Sequence, residues 1–121
     1  MGHRILIAED DPEIVLLMQK LLAGRYEVEV FSDGLSALQR LEKDPLPQLL
    51  ILDVMMPKLD GVTLLKSLKS HPRTKHIPAI IVSAKGGPRD VIDGISAGVR
   101  HYLTKPFKAD DLVKKVQKIL G

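Results

Sequence analysis

Five short apolar runs alternate along the chain with five amphipathic segments. The runs are residues 4–8, 27–31, 49–52, 79–82 and 99–103. The first, third and fourth are apolar on successive residues, which is what strands covered on both faces require. The second, Glu27-Val28-Glu29-Val30-Phe31, alternates polar and apolar positions and suits a sheet edge with one wetter face. Between the runs, apolar residues recur at helical spacing. Ile14, Leu17, Met18, Leu21 and Leu22 form one stripe, with Asp11 as N-cap and Pro12 at the first helical position. Leu35, Leu38 and Leu41 form a second stripe, and Leu64, Leu65 and Leu68 a third. Val91, Ile92 and Ile95 make a shorter fourth. Leu112, Val113, Val116, Ile119 and Leu120 make the fifth, with Ala109-Asp110 as its cap.

Strand–helix alternation repeated five times predicts parallel βαβ units with right-handed crossovers. The expected fold is α/β: one doubly wound, five-stranded parallel sheet with five helices shared between its two faces. The flavodoxin-like order 2-1-3-4-5 accommodates an amphipathic second strand at the edge, and it places the ligand crevice between the carboxyl ends of strands 1 and 3. With 121 residues, one domain spanning residues 1–121 is expected. Composition narrows the class further. Apolar residues are 45% and charged residues 27%, a globular balance. Cysteine is absent, which excludes disulfides and thiolate metal sites. No apolar run approaches the roughly 20 residues of a membrane span, and no secretory signal opens the chain. A cytoplasmic protein without membrane contact is the simplest expectation. Residues 1–60 hold 11 acids and 6 bases, whereas residues 61–121 hold 4 acids and 12 bases. The bases of the second half are scattered over helical segments with few aromatics, so a solvated face is expected and no direct nucleic-acid contact.

The chemistry collects where the strands end. Glu9-Asp10-Asp11 closes the first strand, Asp53 the third and Ser83 the fourth, and Lys105 follows the fifth. Each has an ordinary reading alone: a cap, a turn former, a loop hydroxyl, a surface charge. Together they fall on one edge of the expected sheet, in the crevice where this fold binds ligands. Carboxylates from Glu9, Asp10 and Asp53 would repel, by about 4 kcal/mol per pair at 4 Å and an effective dielectric near 20. Either a pKa rises or a cation enters. An all-oxygen donor set favours a hard divalent ion, and a nearby phosphate favours Mg²⁺. None of the four histidines has ligand spacing. Lys105 adds a positive charge and Ser83 a hydroxyl, which makes a cradle for a tetrahedral dianion. Asp53 at its centre is placed to act as a nucleophile.

These residues resemble a known family. Glu9-Asp10, then Asp53-Val54-Met55-Met56-Pro57 with Asp60-Gly61, then Ser83-Ala84, then Lys105-Pro106-Phe107 are similar to the receiver domain of two-component response regulators. The resemblance covers the whole chain. It implies that Asp53 is the phosphoacceptor, supplied by a sensor histidine kinase, a phosphotransfer protein or a small phosphodonor. It implies that Asp10, Asp53 and the backbone carbonyl of Met55 bind Mg²⁺ directly, with Glu9 acting through water. It further implies that Lys105 contacts the phosphoryl oxygens, with a cis bond to Pro106, and that Ser83 and Tyr102 move on phosphorylation. The signal would leave through the face of the fourth helix, fifth strand and fifth helix toward an output domain or protein, with a dimer through that face as one form. Self-dephosphorylation is also implied. Met55 offers no side-chain hydrogen bond to an attacking water, so no special acceleration of that step is expected.

Other classes fit less well. Aspartate-nucleophile phosphatases need a second carboxylate two residues on, where Met55 stands. An acidic crevice repels a flavin phosphate, and neither G-x-G-x-x-G nor G-x-x-x-x-G-K-[ST] occurs. A receiver-like interaction module that takes no phosphate would have lost an acid or the lysine.

Overall fold

The computed structural model describes residues 2–84 and 101–121. Five parallel strands form one sheet in the order β2-β1-β3-β4-β5. They are β1 (Arg4–Ala8), β2 (Glu27–Phe31), β3 (Leu49–Asp53), β4 (Ala79–Ala84) and β5 (His101–Lys105). Four helices lie among the described residues: α1 (Pro12–Leu22), α2 (Gly34–Arg40), α3 (Gly61–Lys69) and α4 (Ala109–Leu120). The helix expected from Val91, Ile92 and Ile95, and the loop at residues 85–88, lie outside the described residues.

Sequence explains the local order. All five residues of β3 are buried, as an uninterrupted apolar strand at the sheet centre must be. The alternating β2 is the edge strand beside β1. Successive side chains of β1 divide between two cores. Leu6 and Ala8 pack with Leu50, Leu52, Ile81 and the inward residues of α2 and α3. Ile5 and Ile7 pack with Ile51, Val82 and the inward residues of α1 and α4. Each helix pair thus covers one face of the sheet.

Three of the four helices begin with an aspartate cap. The N–H of Glu13 donates to Asp11 Oδ1 at 2.9 Å, that of Ser36 to Asp33 Oδ1 at 2.7 Å, and that of Thr63 to Asp60 Oδ1 at 2.8 Å. Each bond satisfies an orphan donor of the first turn.

Four expectations need correction. The fourth strand runs two residues past Val82, so Ser83 lies inside it. The fifth ends on Lys105, so this lysine belongs to the strand. Ala109-Asp110 does not cap α4; the N-cap is Lys108, which makes no side-chain cap bond. Asp110 and Asp111 in the first turn instead place negative charge at the positive end of the helix dipole. Finally, Leu35 is 44% exposed. At the start of α2 the inward positions are Gly34 and Ala37, because a Cβ on Gly34 would meet the Leu59 carbonyl; Leu41, just past the helix, is buried and Leu38 packs against the same core, as the stripe predicts.

Candidate active site

The loops after β1 and β3 set the crevice. Glu9, just beyond β1, is 1% exposed, and Asp53, the last residue of β3, is 4% exposed. Asp10 is exposed beside them. One carboxylate oxygen from each of the three lies within 4.8 Å of the others. Lys105 enters from the end of β5, two strands away from β3. Its Nζ stands 2.8 Å from Glu9 Oε1 and donates to Asp53 Oδ2 at 3.3 Å. The other oxygens are fixed from the backbone. The Asp11 N–H donates to Glu9 Oε2 at 3.0 Å, and the Met55 N–H to Asp53 Oδ1 at 3.3 Å.

Burial and repulsion shape the titration of this group. Desolvation is the largest effect on Asp53, and the charge and hydrogen bond of Glu9 add to it. Lys105 and the Met55 N–H pull the other way, and the net result is a pKa pushed up to about 7. For Lys105, burial works against the charge, but the bond to Glu9 and the charges of Asp53 and Glu9 outweigh it and raise the pKa. The ammonium therefore stays charged at neutral pH.

The remaining predicted residues take the following places. Ser83 is 1% exposed, one residue past Val82, which is the register partner of Asp53. Thr104 faces it on β5. Tyr102 is half-buried against the core beneath α2 and α3. The Met55 side chain is 72% exposed. The Lys105–Pro106 bond is cis, as the resemblance implies.

Two glycines carry more of the site than sequence reasoning gave them. A Cβ on Gly61 would collide with the backbone carbonyl of Asp53 itself, and a Cβ on Gly34 with the carbonyl of Leu59. The loop from Val54 to Asp60 therefore rests on the first residues of α2 and α3. The Gly61 N–H also donates to the Val54 carbonyl at 3.0 Å. The Asp33-Gly34 and Asp60-Gly61 doublets were the available signal: a cap followed by a residue without a side chain, twice.

Three carboxylates with only oxygen donors fit a hard divalent cation in kind and spacing. The raised pKa of Asp53 comes first from burial and then from the charge of Glu9, and a bound cation would offset the second. Such a crevice can hold a cation beside a carboxylate nucleophile and present a lysine to a dianion.

Fold and crevice together define a flavodoxin-like α/β domain with an acidic, lysine-bearing pocket at its switch point. Residues 5–117 match the family model of the response regulator receiver domain, and the chain belongs to that family. Response regulator PleD of Caulobacter vibrioides (strain NA1000 / CB15N) is 40% identical over 120 residues, covering 98% of this chain and 26% of PleD. The chain thus spans about a quarter of that relative's length. The receiver domain of a signal transduction histidine kinase from Syntrophus aciditrophicus superposes with a TM-score of 0.89 at 33% identity, over 98% of this chain and 90% of that one. The receiver domain of sensor histidine kinase PA1611 from Pseudomonas aeruginosa PAO1, with a magnesium ion coordinated in its active site cleft, superposes with a TM-score of 0.89 at 27% identity. That match covers 100% of this chain and 99% of the other.

Proposed function

We propose that this chain is a phosphorylation-dependent signalling switch with Asp53 as its phosphoacceptor. The observation that carries the reading is the Lys105 ammonium held between Glu9 and Asp53, with Asp10 alongside. An Asp53 carboxylate oxygen attacks phosphorus, the bond from phosphorus to the donor's leaving atom breaks, and an acyl phosphate forms. The donor is a phosphohistidine of a sensor kinase or phosphotransfer protein, or a small acyl phosphate; imidazole or carboxylate departs with the bond's electron pair. Hydrolysis reverses the state: water attacks phosphorus, and inorganic phosphate and the Asp53 carboxylate separate.

Asp10, Asp53 and the Met55 carbonyl would hold Mg²⁺, with Glu9 acting through water. When bound, the ion supplies the positive charge that three carboxylates and an incoming dianion lack. Lys105 contacts the phosphoryl oxygens and is charged across the neutral range. Ser83, buried within the neighbouring strand one residue before its end, and Tyr102, in the adjacent core, are the residues assigned to switching. A hydrogen bond from Ser83 and a charge-assisted bond from Lys105 are each worth about 1.5–3 kcal/mol. Together they are of the order needed to invert a 1:99 population, about 5.5 kcal/mol. The output is read by a downstream domain or protein at the face of β5, α4 and the Val91–Ile95 pattern, in the cytoplasm, with dimerisation through that face as one form.

Intact-mass spectrometry after incubation with acetyl phosphate and Mg²⁺ tests the assignment. The wild type is expected to gain one phosphoryl adduct and Asp53→Asn none. Equal adducts in both reject Asp53 as acceptor. Failure of the wild type to take either phosphate or beryllofluoride favours an interaction module instead.

A further inference from the structure

Between Asp53 and α3 the backbone passes through a left-handed conformation at a residue that is not glycine. Lys58 has φ 69°, the one such residue among those described. Across it, the Leu59 N–H donates to the Pro57 carbonyl at 2.8 Å. A bond from residue i+2 back to residue i over a positive φ is the strained form of γ-turn. Such a conformation persists only where its surroundings hold it.

The surroundings here are specific. Leu59 packs its side chain against the core beneath α2 and α3, and its carbonyl lies where a Cβ on Gly34 would stand. The turn can therefore seat against the start of α2 only because Gly34 has no side chain. The two ends of the loop are fixed as well. The Val54 N–H donates to the Val82 carbonyl at 3.1 Å, and the Gly61 N–H to the Val54 carbonyl at 3.0 Å. Met55 lies between these anchors with its side chain 72% exposed, so its backbone is steered by the loop and not by packing of its own. The Lys58 ammonium adds little. It stands 3.9 Å from Asp33 Oδ2 on a side chain 64% exposed, and exposed pairs of this kind contribute little.

We infer that Lys58 and Gly34 are positioning residues for the cation site: the left-handed turn at Lys58, seated on Gly34, sets the course of the Met55 backbone beside Asp53. This rests on the proposed function, in which the Met55 carbonyl is a Mg²⁺ ligand. Neither Lys58 nor Gly34 is a ligand itself. Mg²⁺ demands near-ideal octahedral geometry, so a carbonyl displaced by a reshaped loop weakens binding while the three carboxylates remain.

The test is a calorimetric titration of the full chain with Mg²⁺ alone, paired with urea unfolding in EDTA. Lys58→Gly takes the turn without strain, and is expected to bind Mg²⁺ like the wild type and to unfold at higher urea. Lys58→Gln removes only the charge and is expected to bind like the wild type. Lys58→Val, β-branched at a positive φ, and Gly34→Ala are each expected to lose about tenfold or more in Mg²⁺ affinity while folded. Leu59→Ala, a milder change that removes the apolar anchor of the turn, is expected to shift affinity in the same direction by less, and it decides the matter if the other two do not fold. A purely structural role would lower the urea midpoint and leave the affinity of the folded chain unchanged. The inference is overturned, with the proposed function intact, if the folded variants bind Mg²⁺ like the wild type, or if Lys58→Gln loses as much affinity as Lys58→Val. A wild-type chain that takes no Mg²⁺ overturns both.

Discussion

Asp53 is asked to stay buried beside Glu9, and that placement has a measurable cost. Its carboxyl titrates near 3.8 when unfolded and near 7 when folded. Between those values the folded chain holds more protons than the unfolded chain, so stability falls as pH rises. The contribution is fully present below 3.8 and gone once the pH has passed 7. In EDTA, urea unfolding at pH 5 and pH 8 is expected to show this loss in the wild type and a flatter profile in Asp53→Asn, with the variant the more stable at pH 8. Parallel profiles in both proteins would count against the buried carboxyl as the source. Lys105→Ala removes the charge between Glu9 and Asp53, and is expected to lower phosphoryl transfer from acetyl phosphate by about 10²-fold or more, read by the rate of adduct formation. At this scale the sequence was informative: Glu9, Asp10, Asp53 and Lys105 are distant in the chain yet converge, because parallel topology gathers strand ends. The direct ion pair between Lys105 and Glu9 was not legible, since side-chain pairing within a cluster depends on depths and rotamers that spacing does not encode.

Elements add constraints that no single polar residue reveals. Asp33→Ala and Asp60→Ala each remove a cap bond and are expected to cost about 1 kcal/mol in urea denaturation. Gly61→Ala is expected to cost about 2 kcal/mol or more, because the added methyl meets the Asp53 carbonyl, which the sheet holds in place. It should also slow adduct formation, whereas Asp60→Ala should slow it less. The bounds of β1 and β2 follow from apolar periodicity alone. The first turn of α2 shows the limit of that signal. Leu38 and Leu41 of the leucine stripe do meet the core, but close approach of the Leu59 backbone sets Gly34 inward and leaves Leu35 outside. Hydrophobic weight cannot report where a neighbouring main chain passes. In α4 the acids near the start suggested a cap, yet they act one position later through the helix dipole.

For the whole molecule, cation binding and folding are linked. If Mg²⁺ occupies the crevice, it stabilises the native chain by RT ln(1 + [Mg²⁺]/Kd), about 2.7 kcal/mol at one hundred times Kd. Calorimetry is expected to show Tm rising with Mg²⁺ and falling back with EDTA, with the rise much reduced in Asp10→Asn. A Tm insensitive to Mg²⁺ at millimolar concentration would sink the metal assignment. The sheet also divides the interior into two separately packed compartments, one under α1 and α4 and one under α2 and α3. Close-packed strands make a stiff partition, so a disturbance on one side has no short route through the wall. It must travel lengthwise along a strand or around a border. Of the two borders, β2 is bound up in the Arg4, Glu27, Glu29 and Arg40 ion pairs, so under the proposed function it is the β5 margin that would let another protein overhear an event at Asp53.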